Sequence, residues 1–230
     1  MSCLMQTACL LLVFLTTNCV LAKDHDDYLN TCIDAENHKD VPGPEPDLHG
    51  QCAPWRDRAC CAVNTTKGFH AQDVWLGFTW NHCEGHMLSD SCRQWFLKDL
   101  CFYECSPNVG PWIIERPIRI RNERFTNVPF CASQCNSWWA ACSTDFTCWN
   151  DWGKGFNYST GVNTCPSGTV CRPFHTVWPS AENFCEHIWD HSFRVVPDDQ
   201  PCFKIDYTGR NPNDAVANYY FQNHQGNIFG

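Results

Sequence analysis

Basic residues are scarce in this 230-residue chain: 16 Lys and Arg stand against 25 Asp and Glu, a formal charge of −9. A surface of that sign excludes binding along a phosphate backbone, which needs a row of cations. No polybasic run is present to hold an anionic membrane. Catalytic signatures are missing as well. Neither Gly-x-Ser-x-Gly nor His-Glu-x-x-His occurs, and His82, His86, His175, His187 and His191 are scattered along the chain. The Gly-Lys-Gly at Gly153 to Gly155 lacks the third glycine and the strand–turn–helix setting of a dinucleotide fold. The chain is therefore expected not to be an enzyme, with no catalytic residue and no metal or cofactor assigned. Internal repeats and low-complexity runs are absent. The tail from Asn218 to Gly230 has no hydrophobic stretch of the roughly 10–20 residues that a lipid-anchor signal needs.

What is present points outside the cell. Met1 to Ala22 contains no charged residue, has an apolar run from Leu10 to Leu15, and ends on Val20-Leu21-Ala22. This reads as a secretory signal peptide over 1–22, followed by a mature domain over 23–230. The run is too short for a membrane anchor, and Thr16, Thr17 and Asn18 interrupt its end. Of 19 cysteines, Cys3, Cys9 and Cys19 fall in the leader, which leaves an even sixteen. At that density in an exported chain, a disulfide framework is expected. No Cys-x-x-Cys occurs. Cys101 and Cys105, and Cys131 and Cys135, are each one helical turn apart, which suits half-cystines bridged elsewhere. Adjacent Cys60 and Cys61 must each reach a different element. Asn64 and Asn157 head glycosylation sequons and are expected on surface loops.

A helix from Ser89 or Asp90 to before Pro107 organises the rest. Cys92, Trp95, Phe96 and Tyr103 share one of its faces, and Asp99 lies on that stripe. A carboxylate on a buried face is costly unless donors surround it. Asp99 is thus either tied to a structural partner or kept for a ligand that brings donors. Before this helix, Asp24 to Asp47 reads as irregular and Val74 to Cys83 as a short strand or extended segment. After it, Arg116, Arg119, Arg121 and Arg124 crowd into nine residues, either as a solvated loop or as a basic rim for an anionic ligand. A second helix is expected from Ser133 to about Asp145, with Cys135, Trp138, Trp139 and Cys142 inside. A third starts at Pro179-Ser180 and places Phe184, Cys185, Ile188, Trp189 and Ser192 on one face. A short last helix is expected from Asn213 to Tyr220. The 11 Trp and 15 Phe exceed what a disulfide-stapled core needs and suggest a pocket for a flat ligand.

Several stretches resemble the folate receptor and riboflavin-binding protein family. They are Trp80-Asn81-His82-Cys83, Cys101-Phe102-Tyr103-Glu104-Cys105-Ser106-Pro107-Asn108, Asn127-Val128-Pro129, Trp138-Trp139 and Ile188-Trp189-Asp190-His191-Ser192-Phe193. The likeness runs from about Leu29 to Tyr220. It implies a disulfide-rich α+β domain of short helices, short strands and long loops around an open ligand pocket. It also implies the pairs Cys32–Cys60, Cys52–Cys101, Cys61–Cys105, Cys83–Cys171, Cys92–Cys142, Cys131–Cys202, Cys135–Cys185 and Cys148–Cys165.

By the same resemblance the chain is expected to be a high-affinity carrier of folate or a related pterin; the leader and the missing lipid-anchor signal point to a secreted one, and a monomer is expected. Asp99 then pairs with the pterin amino and ring nitrogens, Ser192 bonds the pterin, and Arg121 and Arg124 face its carbonyl. Tyr103 and Trp189 sandwich the ring, while Trp152 and Lys154 sit in the loop that holds the tail. The chain departs from folate-binding members at Ile120, Gly153, Phe156 and Tyr158, all at the tail end. Two other readings are weighed. An adhesion receptor of the same fold would not need Asp99, Ser192 and both arginines. A riboflavin carrier would have little use for the arginines and Lys154.

Overall fold

The computed structural model describes residues 28–228, so the signal peptide over 1–22 lies outside the described residues. Helix α2, Asp90–Cys105, is the centre of the fold. Ser89 caps it by accepting a hydrogen bond from the Cys92 N–H (3.3 Å). The cap is itself held, because the Ser89 N–H and hydroxyl both donate to Asp145 (2.7 and 2.8 Å). Phe96, Leu97, Phe102 and the three cysteines of α2 are buried. Those cysteines tie α2 to three separate segments, through Cys52–Cys101, Cys61–Cys105 and Cys92–Cys142.

The remaining bridges are Cys32–Cys60, Cys83–Cys171, Cys131–Cys202, Cys135–Cys185 and Cys148–Cys165. All eight are the pairs that the resemblance implies. The sulfurs of Cys83, Cys148, Cys165 and Cys171 lie within 4.8 Å of one another. All four are spent in two stacked disulfides, which leaves no thiolate to bind a metal.

The strands form two-stranded pairs around α2. β1, His38–Gly43, pairs antiparallel with β2, Ala59–Cys61. The segment expected to be irregular thus contains a strand, because the buried Ala59-Cys60-Cys61 run offers it a partner. Helix α1, Val63–Ala71, follows. Its first turn carries Asn64, which is exposed but helical rather than in a loop, and the sequon residue Thr66 is buried with its hydroxyl donating to Val63 O (2.9 Å). Val74 to Cys83 is not a strand. Trp75 and Phe78 exchange two backbone hydrogen bonds (2.8 Å each) across Leu76 and Gly77, both at positive φ. This is a two-residue turn of the kind that tight hairpins use.

The arginine-rich segment forms a hairpin of β3, Ile113–Ile118, and β4, Arg121–Phe125, with Arg119 and Ile120 at its tip. β5, Val128–Cys131, leads into α3, Ala132–Cys142. Short strands β6, Phe146–Thr147, and β7, Arg172–Pro173, pair before α4, Phe174–Val177, and α5, Ala181–His187. The expected third helix therefore stops before Trp189. Asp190 and His191 adopt φ of 47° and 59°, which reverses the chain into β8, Phe193–Val196. Asp and His are among the side chains that tolerate this left-handed backbone best. β8 pairs parallel with β5. The last helix, α6, runs Asn213–Ile228, beyond the expected Tyr220.

The capping arrangement gives a stability prediction. Ser89→Ala removes the cap of α2 and the hydroxyl bond to Asp145, and should cost about 1–2 kcal/mol. Urea unfolding of the oxidised protein should show a lower midpoint at unchanged slope. An unchanged midpoint would show that the cap contributes nothing.

Candidate ligand pocket

A cavity of about 660 Å³ opens beside α2, a size within the range of small-ligand sites. Helix α2 supplies Phe96, Asp99 and Tyr103 from successive turns of one face, as helical spacing requires. The tight turn after α1 brings Trp75, Leu76 and Phe78. The hairpin brings Ile118 to Arg121 and Arg124, and the reversed turn after α5 brings Trp189 and Ser192. Of the eight sequence-predicted residues, seven line this one cavity: Asp99, Tyr103, Arg121, Arg124, Trp152, Trp189 and Ser192. Lys154 does not.

The walls are aromatic. Trp152 stacks on Phe96 with centroids 4.9 Å apart and planes 10° from parallel. Trp189 stands edge-on to Trp152 at 5.7 Å, and Phe78 leans against both. Trp152 is a structural wall rather than a free polar group. It is buried, and its indole N–H is spent on Thr147 Oγ1 and Trp149 O (3.0 and 3.2 Å).

Asp99 is 6% exposed and has no ion-pair partner among the described residues. Burial pushes its pKa up from 3.8 to about 7. The Trp189 indole N–H opposes that rise but closes no full hydrogen bond to any protein group. A buried carboxylate facing a cavity and lacking a cation is a site held ready for donors.

The two arginines differ. Arg121 donates weakly to the Tyr103 hydroxyl (3.5 Å), and its buried Nε has no partner. Its guanidinium is available to the cavity. Arg124 is instead a brace. Its Nε donates to Phe125 O (3.1 Å) and its Nη1 to Asp190 Oδ2 (2.9 Å). Its Nη2 faces Trp189 O, Asp190 O and Ser192 Oγ at 2.7, 2.6 and 3.0 Å. At most one Nη1 N–H remains for a ligand. Arg124 thus fixes the turn that presents Trp189 and Ser192. The Ser192 hydroxyl donates to Trp189 O (2.9 Å) and is left as an acceptor.

Lys154 is committed elsewhere. Its Nζ contacts Asp190 Oδ1 at 2.5 Å and Asp151 Oδ2 at 3.3 Å. The resemblance assigns Lys154 to the loop that holds a ligand tail; here its Nζ pairs with the carboxylate of Asp190, and the residue does not line the cavity. A second buried carboxylate, Glu104, was not anticipated. It accepts from the Trp75 indole (3.2 Å) and lies 3.6 Å from His38 Nδ1. Burial raises its pKa too, with His38 opposing. Trp75 hydrogen-bonded to Glu104 in the cavity lining is a tertiary pairing that no local spacing could reveal.

The raised Asp99 pKa has a stability consequence. The folded protein takes up the proton before the unfolded chain does. Stability from this group is full below pH about 4 and is lost as pH rises through about 7. Asp99→Asn should therefore raise the unfolding temperature of ligand-free protein at pH 8, by roughly 1–3 kcal/mol of stability, and less at pH 5. A lower unfolding temperature at pH 8 would contradict the assignment.

Known proteins resemble this chain over most of its length. The model of the folate receptor family matches residues 31–204. Folate receptor alpha from Homo sapiens is 43% identical over 200 residues, 84% of this chain and 77% of that protein. Folate receptor alpha from Bos taurus is 44% identical over 203 residues, 86% and 83% of the two chains. Riboflavin-binding protein from Gallus gallus is 31% identical over 189 residues, 81% and 74%. With a cavity beside a disulfide-anchored helix and a family match over most of its length, the chain belongs to the folate receptor family.

Proposed function

We propose that the protein is a secreted carrier that binds folate, or a related pterin, with the pterin ring buried against Asp99. The observation that carries this reading is the Asp99 carboxylate, out of water and without a protein cation. An aminopyrimidine edge presents two parallel N–H donors, and a carboxylate accepts both. The corresponding edge of a flavin presents one N–H between two carbonyl oxygens, and those oxygens would repel the carboxylate. This favours a pterin over riboflavin. Arg121 supports the same orientation by offering a guanidinium to a ring carbonyl. In this reading Tyr103 and Trp189, which line the cavity, cover the two faces of the ring, and Ser192 accepts from it. Arg124 contributes mainly by holding Trp189 and Ser192 in place.

Binding rather than catalysis suits a chain whose matched relatives are named as receptors and binding proteins. Eight disulfides require an oxidising compartment, which supports secretion. No described helix is long and apolar enough to cross a membrane.

Titration of purified protein with folic acid at pH 8 should quench tryptophan fluorescence through Trp189. Asp99→Ala should weaken binding roughly 100-fold or more, since two charge-assisted hydrogen bonds are lost. Riboflavin should not compete. Undiminished binding by Asp99→Ala, or tighter binding of riboflavin, would refute the reading. The pH dependence follows from the free-state pKa of about 7. A ligand that donates to the carboxylate lowers that pKa. Affinity should be flat above pH about 7 and fall by up to about tenfold per unit below it. A flat profile from pH 8 to 5 would count against Asp99 as the anchor.

A further inference from the structure

We propose that Arg119, and not Lys154, is the cation that holds an anionic tail of the ligand at the cavity mouth. This rests on the pterin reading above and concerns the part of the ligand that projects from the ring. Arg119 lies at the exposed tip of the β3–β4 hairpin and lines the cavity. Among the described residues it has no carboxylate within ion-pair distance. Asp73, an acidic residue on the same rim, is paired instead with Arg93 (3.7 Å).

Lys154 already faces two carboxylates, Asp190 and Asp151, so an anionic tail meets little net positive charge there. Asp190 is shared with Arg124, so the three form a chain of alternating charge: Lys154, Asp190, Arg124. That chain latches the 151–155 loop onto the turn that carries Trp189. Gly153 belongs to the latch. A Cβ added there would lie 3.0 Å from Asp190 Cβ and 3.2 Å from Asp151 Oδ1, so a larger side chain would push the loop away. The loop is thereby held against Asp190, with the Lys154 side chain still 62% exposed.

The mouth around Arg119 has the composition that a tail with an aryl spacer needs. Ile118 and Tyr158 are 51% and 48% exposed, large apolar groups left in water beside the opening. Ile120 lines the cavity between Arg119 and Arg121 in sequence. An apolar collar followed by a free guanidinium matches an aryl group that ends in carboxylates, because the planar fork binds a carboxylate through two donors. The ligand class is therefore a heterocycle with an aryl-linked, carboxylate-bearing tail.

The test compares folic acid, which carries the glutamate tail, with the methyl ester of pteroic acid, which keeps the ring and the aryl spacer but has no carboxylate, by fluorescence titration at pH 8 and low salt. The unaltered protein should prefer folic acid, and added NaCl should shrink that preference. Arg119→Gln should weaken folic acid about five- to tenfold and leave the ester within about twofold. Arg116→Gln, which removes the same charge from exposed β3 away from the cavity, should leave the ratio of the two affinities unchanged. An unchanged ratio in Arg119→Gln overturns the inference while leaving the pterin reading intact, as does a ratio that collapses in Lys154→Gln instead. Failure of the unaltered protein to bind either ligand overturns both.

Discussion

Helix α2 is tethered to the rest of the fold at three points along its length. Its three half-cystines reach Cys52, Cys61 and Cys142 on separate segments, and its start is capped by a serine that is itself gripped by Asp145. The consequence for the site is positional. Phe96, Asp99 and Tyr103 line the cavity from one face of a helix that bridges and core packing hold on other sides. Asp99 is held out of water at a cost, visible in its pKa of about 7. In most folds a neighbouring cation would relieve that cost or the side chain would turn outward. The bridges hold the helix in place, the surrounding rings keep water from the side chain, and the arginines of the same cavity do not pair with it. The destabilised charge is then available for a ligand that brings donors.

The opposite wall is fixed by a different device. Two consecutive left-handed residues end α5 early, and Arg124 collects the carbonyls that this turn leaves over. An arginine is suited to this because one guanidinium can satisfy several converging acceptors. Trp189 and Ser192 therefore reach the cavity from a turn rather than from a helix face. The same Asp190 that Arg124 pairs with also holds Lys154, so the loop over 151–155 and the ring-bearing turn move as one unit.

Much of this was legible in the residues. The stripe on α2, with a carboxylate among aromatic positions, already singled out Asp99, and the resemblance supplied the bridge pairs and seven of the residues that the cavity gathers. What escaped the sequence were long-range charge assignments. Lys154 sits beside Asp151 in sequence, but its capture by Asp190 depends on a turn at positive φ that spacing does not reveal. Arg124 and Arg121 look alike as sequence, yet one is consumed by backbone carbonyls and the other is free. Helical periodicity placed Ser192 on the face of α5, when a reversal of the chain delivers it to the cavity. Strand β1 was missed because its pairing with β2 is set by the Cys32–Cys60 bridge nearby rather than by any alternation of its own residues. Glu104 and Trp75 meet through tertiary packing alone.

The central claim is that one carboxylate, unpaired and buried, waits for a ligand that donates to it. Carboxyl-carbon NMR of Asp99 in the free protein, followed by the same titration with folic acid bound, tests this most directly. The account predicts a free pKa near 7 that drops on binding, because the bound heterocycle supplies the donors the protein withholds. A free pKa near the ordinary 3.8, or a free value near 7 that folic acid leaves unmoved, would contradict it.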